Sequence, residues 1–148
     1  MALFERFRNV LAQVLRIEDT PHRIALAFAT GVFVGLSPLI GLHTVLALVL
    51  AWIFGLNKIV VLSGVFVNNP WSMIPIYTFS TWVGARLLGR DILVADVDWR
   101  GITLGAIVRN LEYLLLPFVF GTLLVATICS LLCYIVVRKT AESSRGDI

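Results

Sequence analysis

From Pro21 onward the chain runs in long apolar stretches that stop at short polar marks. Thr20-Pro21 has the form of a helix start, with Thr as N-cap and Pro at the first helical position. The apolar run from Pro21 to about Leu36 meets Ser37-Pro38, and a second run covers Leu42 to Gly55. Leu56-Asn57-Lys58 reads as a turn, Ile59 to Val67 rises again, Asn68-Asn69-Pro70 breaks it, and Trp71 to Leu88 returns. Each piece is on the order of 15 residues, or about 20–25 Å, against a bilayer hydrocarbon core of about 30 Å. The pattern therefore predicts helices broken inside a membrane. They form either re-entrant hairpins whose tips meet in the bilayer or four thin, tilted spans, and spacing alone does not choose between them.

The two breaks follow similar text. Thr30-Gly31-Val32-Phe33-Val34 leads into Ser37-Pro38, and 33 residues on (31 to 64) Ser63-Gly64-Val65-Phe66-Val67 leads into Asn69-Pro70. This predicts two tandem broken-helix repeats, 21–56 and 58–88, an arrangement that transporters use to build sites near the bilayer midplane.

The flanks differ in character. Over 1–17, Leu3, Phe4, Phe7, Val10, Leu11, Val14, Leu15 and Ile17 fall on one side of a helix. Glu5, Arg6, Arg8, Asn9, Gln13 and Arg16 fall on the other, the pattern of an amphipathic helix lying in the membrane interface. No cleavable signal pattern is evident there. Residues 89–109 gather Arg90, Asp91, Asp96, Asp98, Arg100 and Arg109 with Trp99, and read as a water-exposed connection. Asn110 to Val137 is long enough to span with tilt, with Pro117 as a point of kinking, and 138–148 reads as a polar, disordered tail. Thr122, Ala126, Cys129, Ser130 and Cys133 form a stripe of small residues on that helix, suited to close packing between copies; Gly31 with Gly35, and Gly101 with Gly105, offer similar faces.

Composition fixes the class. The chain is 59% hydrophobic and 14% charged, with a mean hydropathy of +0.93, more apolar surface than a soluble domain of 148 residues can hide. The runs are continuous rather than alternating, which points away from a β-barrel. The expected architecture is all-α: a polytopic protein of the bacterial inner membrane, with an interfacial N-terminal helix, two broken-helix repeats and one long C-terminal transmembrane helix. Basic residues flank every segment, so the N-terminus is expected in the cytoplasm while the side of the C-terminus stays open.

The candidate chemistry sits at the breaks. No Asp or Glu occurs from Ile24 to Leu88, where Lys58 and Arg86 are the fixed charges. A helix that starts inside lipid has unpaired N–H groups and a partial positive charge at its first turn. Ser37 or Thr44 is expected to cap the second half of the first repeat, and Asn69, with Pro70 behind it, the second half of the other. Two N-termini would then converge with Ser37, His43, Thr44, Asn68 and Asn69 around an anion, most simply a phosphate, with Lys58 and Arg86 drawing it in. Pro38, Gly41, Pro70 and Pro75 shape the backbone. No catalytic set, metal-ligand spacing, phosphate-binding loop or dinucleotide-binding glycine pattern is present, so no enzyme activity, metal or cofactor is expected. The pI near 9.2 reflects the membrane charge pattern rather than a nucleic-acid surface.

The run Gly35-Leu36-Ser37-Pro38-Leu39-Ile40-Gly41-Leu42-His43-Thr44, then Leu56-Asn57-Lys58, then Asn69-Pro70-Trp71 with Pro75 and Tyr77, resembles the bacterial membrane family known as domain of unknown function 2062. The likeness extends over roughly 15–137. The resemblance implies a link to lipid-linked sugar or envelope chemistry, because some relatives are joined to glycosyltransferase-like domains. The expectation is a flippase-like transporter for a phosphate-bearing lipid or lipid-linked precursor, working as a homo-oligomer among membrane lipids. Its rivals are a non-transporting scaffold beside an envelope-biosynthesis enzyme and, more weakly, an anion or small-solute channel.

Overall fold

The computed structural model describes Glu5, Asn9 and residues 18–39, 41–90 and 104–146. Five helices of some length lie among them, and no strand: α1 (Pro21–Leu36), α2 (His43–Ile53), α3 (Lys58–Val65), α4 (Pro70–Leu87) and α5 (Leu104–Gly146). The interfacial helix expected over 1–17 falls almost wholly outside the described residues, as does most of the 89–109 connection.

α1 starts as its sequence requires. The Thr20 hydroxyl accepts from the Arg23 N–H at 3.3 Å, and Pro21 occupies the first turn, where its missing N–H costs nothing. It is the central helix: α2, α3 and α5 all pack on it, and ten of its residues are buried, from Ile24 to Leu36. α2 turns back along it after the first break. Gly55, at φ +60°, closes the next turn, where its carbonyl accepts from the Arg23 guanidinium. α3 then runs beside α1 in the same direction.

The α1·α3 crossing depends on glycine. A Cβ on Gly31 would run into the Val61 carbonyl and the Gly64 backbone, and a Cβ on Gly64 would run into the Phe28 carbonyl and the Gly31 backbone. Val61 stands 33 residues beyond Phe28, so the contact is reciprocal at the spacing of the repeated text. Beyond the breaks the likeness ends. α2 has 11 residues and doubles back, whereas α4 has 18 and leaves α3 at a bend of 68°.

α4 and α5 meet at a second glycine crossing. A Cβ on Gly84 would strike the Pro117 carbonyl, and one on Gly121 the Ser80 carbonyl. α5 has 43 residues, about 65 Å of helix, and it overruns the expected 110–137 at both ends. The supposed tail is helical to Gly146 because it has partners. Arg138 pairs with Glu142 at 2.8 Å one turn on, Ala141 is buried, and the Arg145 guanidinium donates to the Asp19 carbonyl. Pro117 lacks the N–H that would bond the Tyr113 carbonyl; Arg90 Nη1 donates to that oxygen instead at 3.0 Å, with the guanidinium 4.9 Å from the Tyr113 ring centre.

The small-residue stripe of α5 is engaged within the chain, which corrects the expectation that it joins copies. Thr122 and Ala126 are buried, Ser130 Oγ donates to the Ala29 carbonyl at 2.9 Å, and Cys129 and Cys133 pack on the same core. The His22 ring Nδ1 lies 2.7 Å from Tyr134 Oη. The start of α1 and the charged end of α5 therefore stand at one end of the molecule.

α5 is the one helix among the described residues long and apolar enough to cross a membrane, and only 17% of its most apolar stretch is buried. α3 and α4 pass the same test only as a bent pair.

Candidate functional site: the junction of the two breaks

The first break is built by α1's own C-terminus. Ser37 is buried and extended (φ −66°, ψ 156°); its N–H returns to the carbonyls of Phe33 (3.0 Å) and Val34 (3.3 Å), and its Oγ donates to Val34 at 2.6 Å. Pro38 then bars continuation of the helix. Gly41 takes φ +87°, a left-handed turn that suits glycine, before α2 begins. Ser37 thus ends α1 and does not cap α2. Thr44 is exposed and caps nothing; α2 starts at His43, and Leu42 before it provides no side-chain cap. His43 is half-buried at the first position of α2, with no hydrogen bond to its ring among the described residues.

At the second break Asn69 caps α4. Its Oδ1 accepts from the N–H groups of Trp71 (3.0 Å) and Ser72 (3.1 Å), and Ser72 Oγ accepts from the Asn69 N–H at 3.0 Å. Ser72 Oγ donates towards the Val67 and Asn69 carbonyls. With Pro70 at the first position, α4's opening turn is supplied from its own chain.

Asn68 and Tyr77 join the two breaks. Asn68 Nδ2 donates to the Gly35 carbonyl at 2.5 Å and lies 3.3 Å from Tyr77 Oη, which in turn donates to the Ser37 carbonyl at 3.3 Å. The Tyr77 ring stands edge-on to Phe118 of α5, centroids 5.3 Å apart. Because the Gly35 oxygen can only accept, the amide must present its nitrogen there. Asn68 Oδ1 is left buried without a partner.

The breaks do meet, but not as two helix N-termini. The carbonyl end of α1 faces the capped start of α4, so opposite ends of two helix dipoles adjoin and offset one another. The two fixed charges stay away. Lys58 is exposed at the first position of α3, at the far end of its eight residues from the break. Arg86 lies in the last turn of α4, 5.6 Å from the Trp82 ring centre and about 25 Å along the helix from Asn69. Pro75 sits inside α4 and is exposed. Ser37, Asn68 and Asn69 are therefore gathered at the junction, whereas Lys58 and Arg86 are not.

Reading the sequence missed Tyr77 as the link, and the Gly84/Gly121 crossing. The second was detectable: Ser80-x-x-x-Gly84 and Pro117-x-x-x-Gly121 both have the small-residue spacing of close helix contacts. Among the described residues no group of three His, Cys, Asp or Glu is placed to hold a metal.

The family described as an uncharacterized protein conserved in bacteria, DUF2062, matches residues 4–147. No curated protein matches the chain, and no solved structure does.

Proposed function

We propose that the chain, which belongs to the uncharacterized bacterial family DUF2062, serves as a non-catalytic scaffold or accessory subunit of the inner membrane, in an envelope-lipid or glycosyltransferase pathway. One observation carries this reading: the polar groups of the breaks are spent on each other. Asn69 and Ser72 close α4's first turn, and Asn68 and Tyr77 tie it to the carbonyl end of α1. Such a junction fixes the relative placement of α1, α3, α4 and α5 and presents their outer faces. The tandem duplication belongs to the same proposal, supported by the reciprocal Gly31/Gly64 contact.

The transporter reading for a phosphate-bearing lipid keeps two observations in its favour: the start of α2 lacks a side-chain cap and carries His43, and Asn68 Oδ1 is unpaired. Asn69 separates the two readings. Asp is as good an N-cap as Asn and adds a charge that a helix start favours. In the scaffold, Asn69→Asp keeps the thermal stability, while Asn69→Leu lowers it by about 1 kcal/mol. A phosphate site would instead be injured more by Asn69→Asp than by Asn69→Leu. The matching assay follows labelled phosphatidylglycerol across vesicles containing the protein. The scaffold gives the rate of empty vesicles; accelerated movement that Asn69→Asp abolishes would establish the transporter.

A further inference from the structure

We infer that the junction of the two breaks binds a monovalent cation, sodium, potassium or ammonium, with Asn68 Oδ1 as a ligand beside the carbonyl ends of α1 and α3. The scaffold reading neither needs nor excludes such an ion.

The junction is short of donors. Asn68 Oδ1 is shut away from solvent and has no hydrogen-bond partner, a costly state for an amide oxygen. The amide cannot turn to relieve it. Its nitrogen donates to the Gly35 carbonyl at 2.5 Å, and a turned amide would set oxygen against oxygen. The neighbouring donors are spent. The N–H groups of Phe66, Val67 and Asn68 return to the carbonyls of Leu62, Gly64 and Val65. Those of Asn69, Trp71, Ser72 and Met73 are engaged in the opening turn of α4. The Ser37 hydroxyl donates to Val34, that of Tyr77 to Ser37, and that of Ser72 towards Val67 and Asn69. Pro38 and Pro70 have no N–H to give. The partner of Oδ1 must therefore come from outside the junction.

The sign of the surroundings selects a cation. α1 and α3 run in the same direction and end side by side: a Cβ on Gly35 would stand 3.0 Å from the Val65 carbonyl oxygen and 3.1 Å from Val65 Cα. Each of these helix ends carries about half a negative charge. Of the helix starts nearby, that of α4 is closed by Asn69 and Ser72, and that of α2 stands on the exposed side, with Leu42 and Thr44 open. Lys58 and Arg86 are placed elsewhere. The Gly35 and Ser37 carbonyls and Tyr77 Oη are linked through the Asn68 amide, so several oxygens gather round one side chain. A water would meet the hydrogen-bond need of Oδ1 but not this oxygen-rich, weakly screened field. Helix C-terminal ends and unwound carbonyls are what hold alkali ions at broken helices. Magnesium and calcium take carboxylates, and Ile24 to Leu88 contains no Asp or Glu.

The test is thermal unfolding of the full chain in detergent, in sodium, potassium, ammonium or choline chloride at equal ionic strength. Choline carries the charge but has no N–H and is too bulky for the junction, so it serves as the blank. At about ten times its dissociation constant, a bound ion should raise the midpoint by about 3–6 °C over choline. Ser72→Ala, which loosens the cap of α4 and leaves the Asn68 side chain in place, should keep that increment, and Asn68→Leu should lose it. Asn68→Asp sets a carboxylate among the oxygens and should lower the half-saturating concentration about tenfold. A response to sodium or potassium assigns a metal ion and a response to ammonium alone an N–H donor; either upholds the inference. Equal midpoints in all the salts would overturn it in favour of a buried water. An increment that survives Asn68→Leu, or that Asn68→Asp does not strengthen, would overturn it in favour of an ion bound elsewhere. The readout is blind to lipid movement, so the inference can fail while the scaffold reading stands.

Discussion

Asn68 contributes as a donor: its amide nitrogen is the direct side-chain bond between the two breaks. Replacing it by Leu leaves the Gly35 carbonyl unpaired inside an apolar body, a loss on the order of 1–3 kcal/mol. Tyr77→Phe keeps the contact with Phe118 and gives up only bonds of 3.3 Å. Thermal unfolding in detergent should therefore rank Asn68→Leu below Tyr77→Phe, and Tyr77→Phe near the parent chain; the reverse order would mean that the tyrosine carries the junction. Gly31 and Gly64 fail by another route, since a methyl on either meets backbone of the facing helix rather than a movable side chain. Gly31→Ala and Gly64→Ala should lower the unfolding temperature by similar amounts. Gly105→Ala, where the added carbon meets open space, should leave it unchanged or raise it.

At the scale of elements, α5 holds α1 through its small residues, and a larger one at their centre has no room. Ala126 is fully buried, whereas Leu123 is 41% exposed. Ala126→Leu should separate α1 from α5 and lower stability by about 1–3 kcal/mol without altering the number of copies in native mass spectra, while Leu123→Ala should affect neither. Both breaks and the starts of α1 and α4 were legible in the sequence, because Thr20-Pro21, Ser37-Pro38 and Asn69-Pro70 act locally through capping and a missing N–H. The polarity of their meeting was not. Whether an N-terminus or a C-terminus faces Asn68 depends on α2 doubling back while α4 merely bends, a difference of direction that similar apolar text does not encode. The continuation of α5 past Val137 was hidden for a like reason: its charges read as a tail until Asp19, 126 residues away, is placed beside Arg145.

The molecule as a whole has its charged terminal segments at one end, joined through His22 and Tyr134. Single cysteines at Glu18 and Ser144, in a background lacking Cys129 and Cys133, should react with an impermeant thiol reagent from the same face of oriented vesicles. Labelling from opposite faces would contradict the pairing of α1 with the end of α5. The central position of α1 also has a consequence for biosynthesis. α1 is the first of the five helices to leave the ribosome, yet its lining is completed in stages: α2 arrives at once, α3 some thirty residues later, and Ser130, which satisfies the Ala29 carbonyl, lies 101 residues downstream. Until then the Ala29 flank of α1 is without its α5 partner. A chain stopped after α4 should enter the membrane without reaching its final form, and it should be cleared by quality-control proteases faster than the full chain in pulse-chase labelling. Assembly of these five helices thus waits on α5.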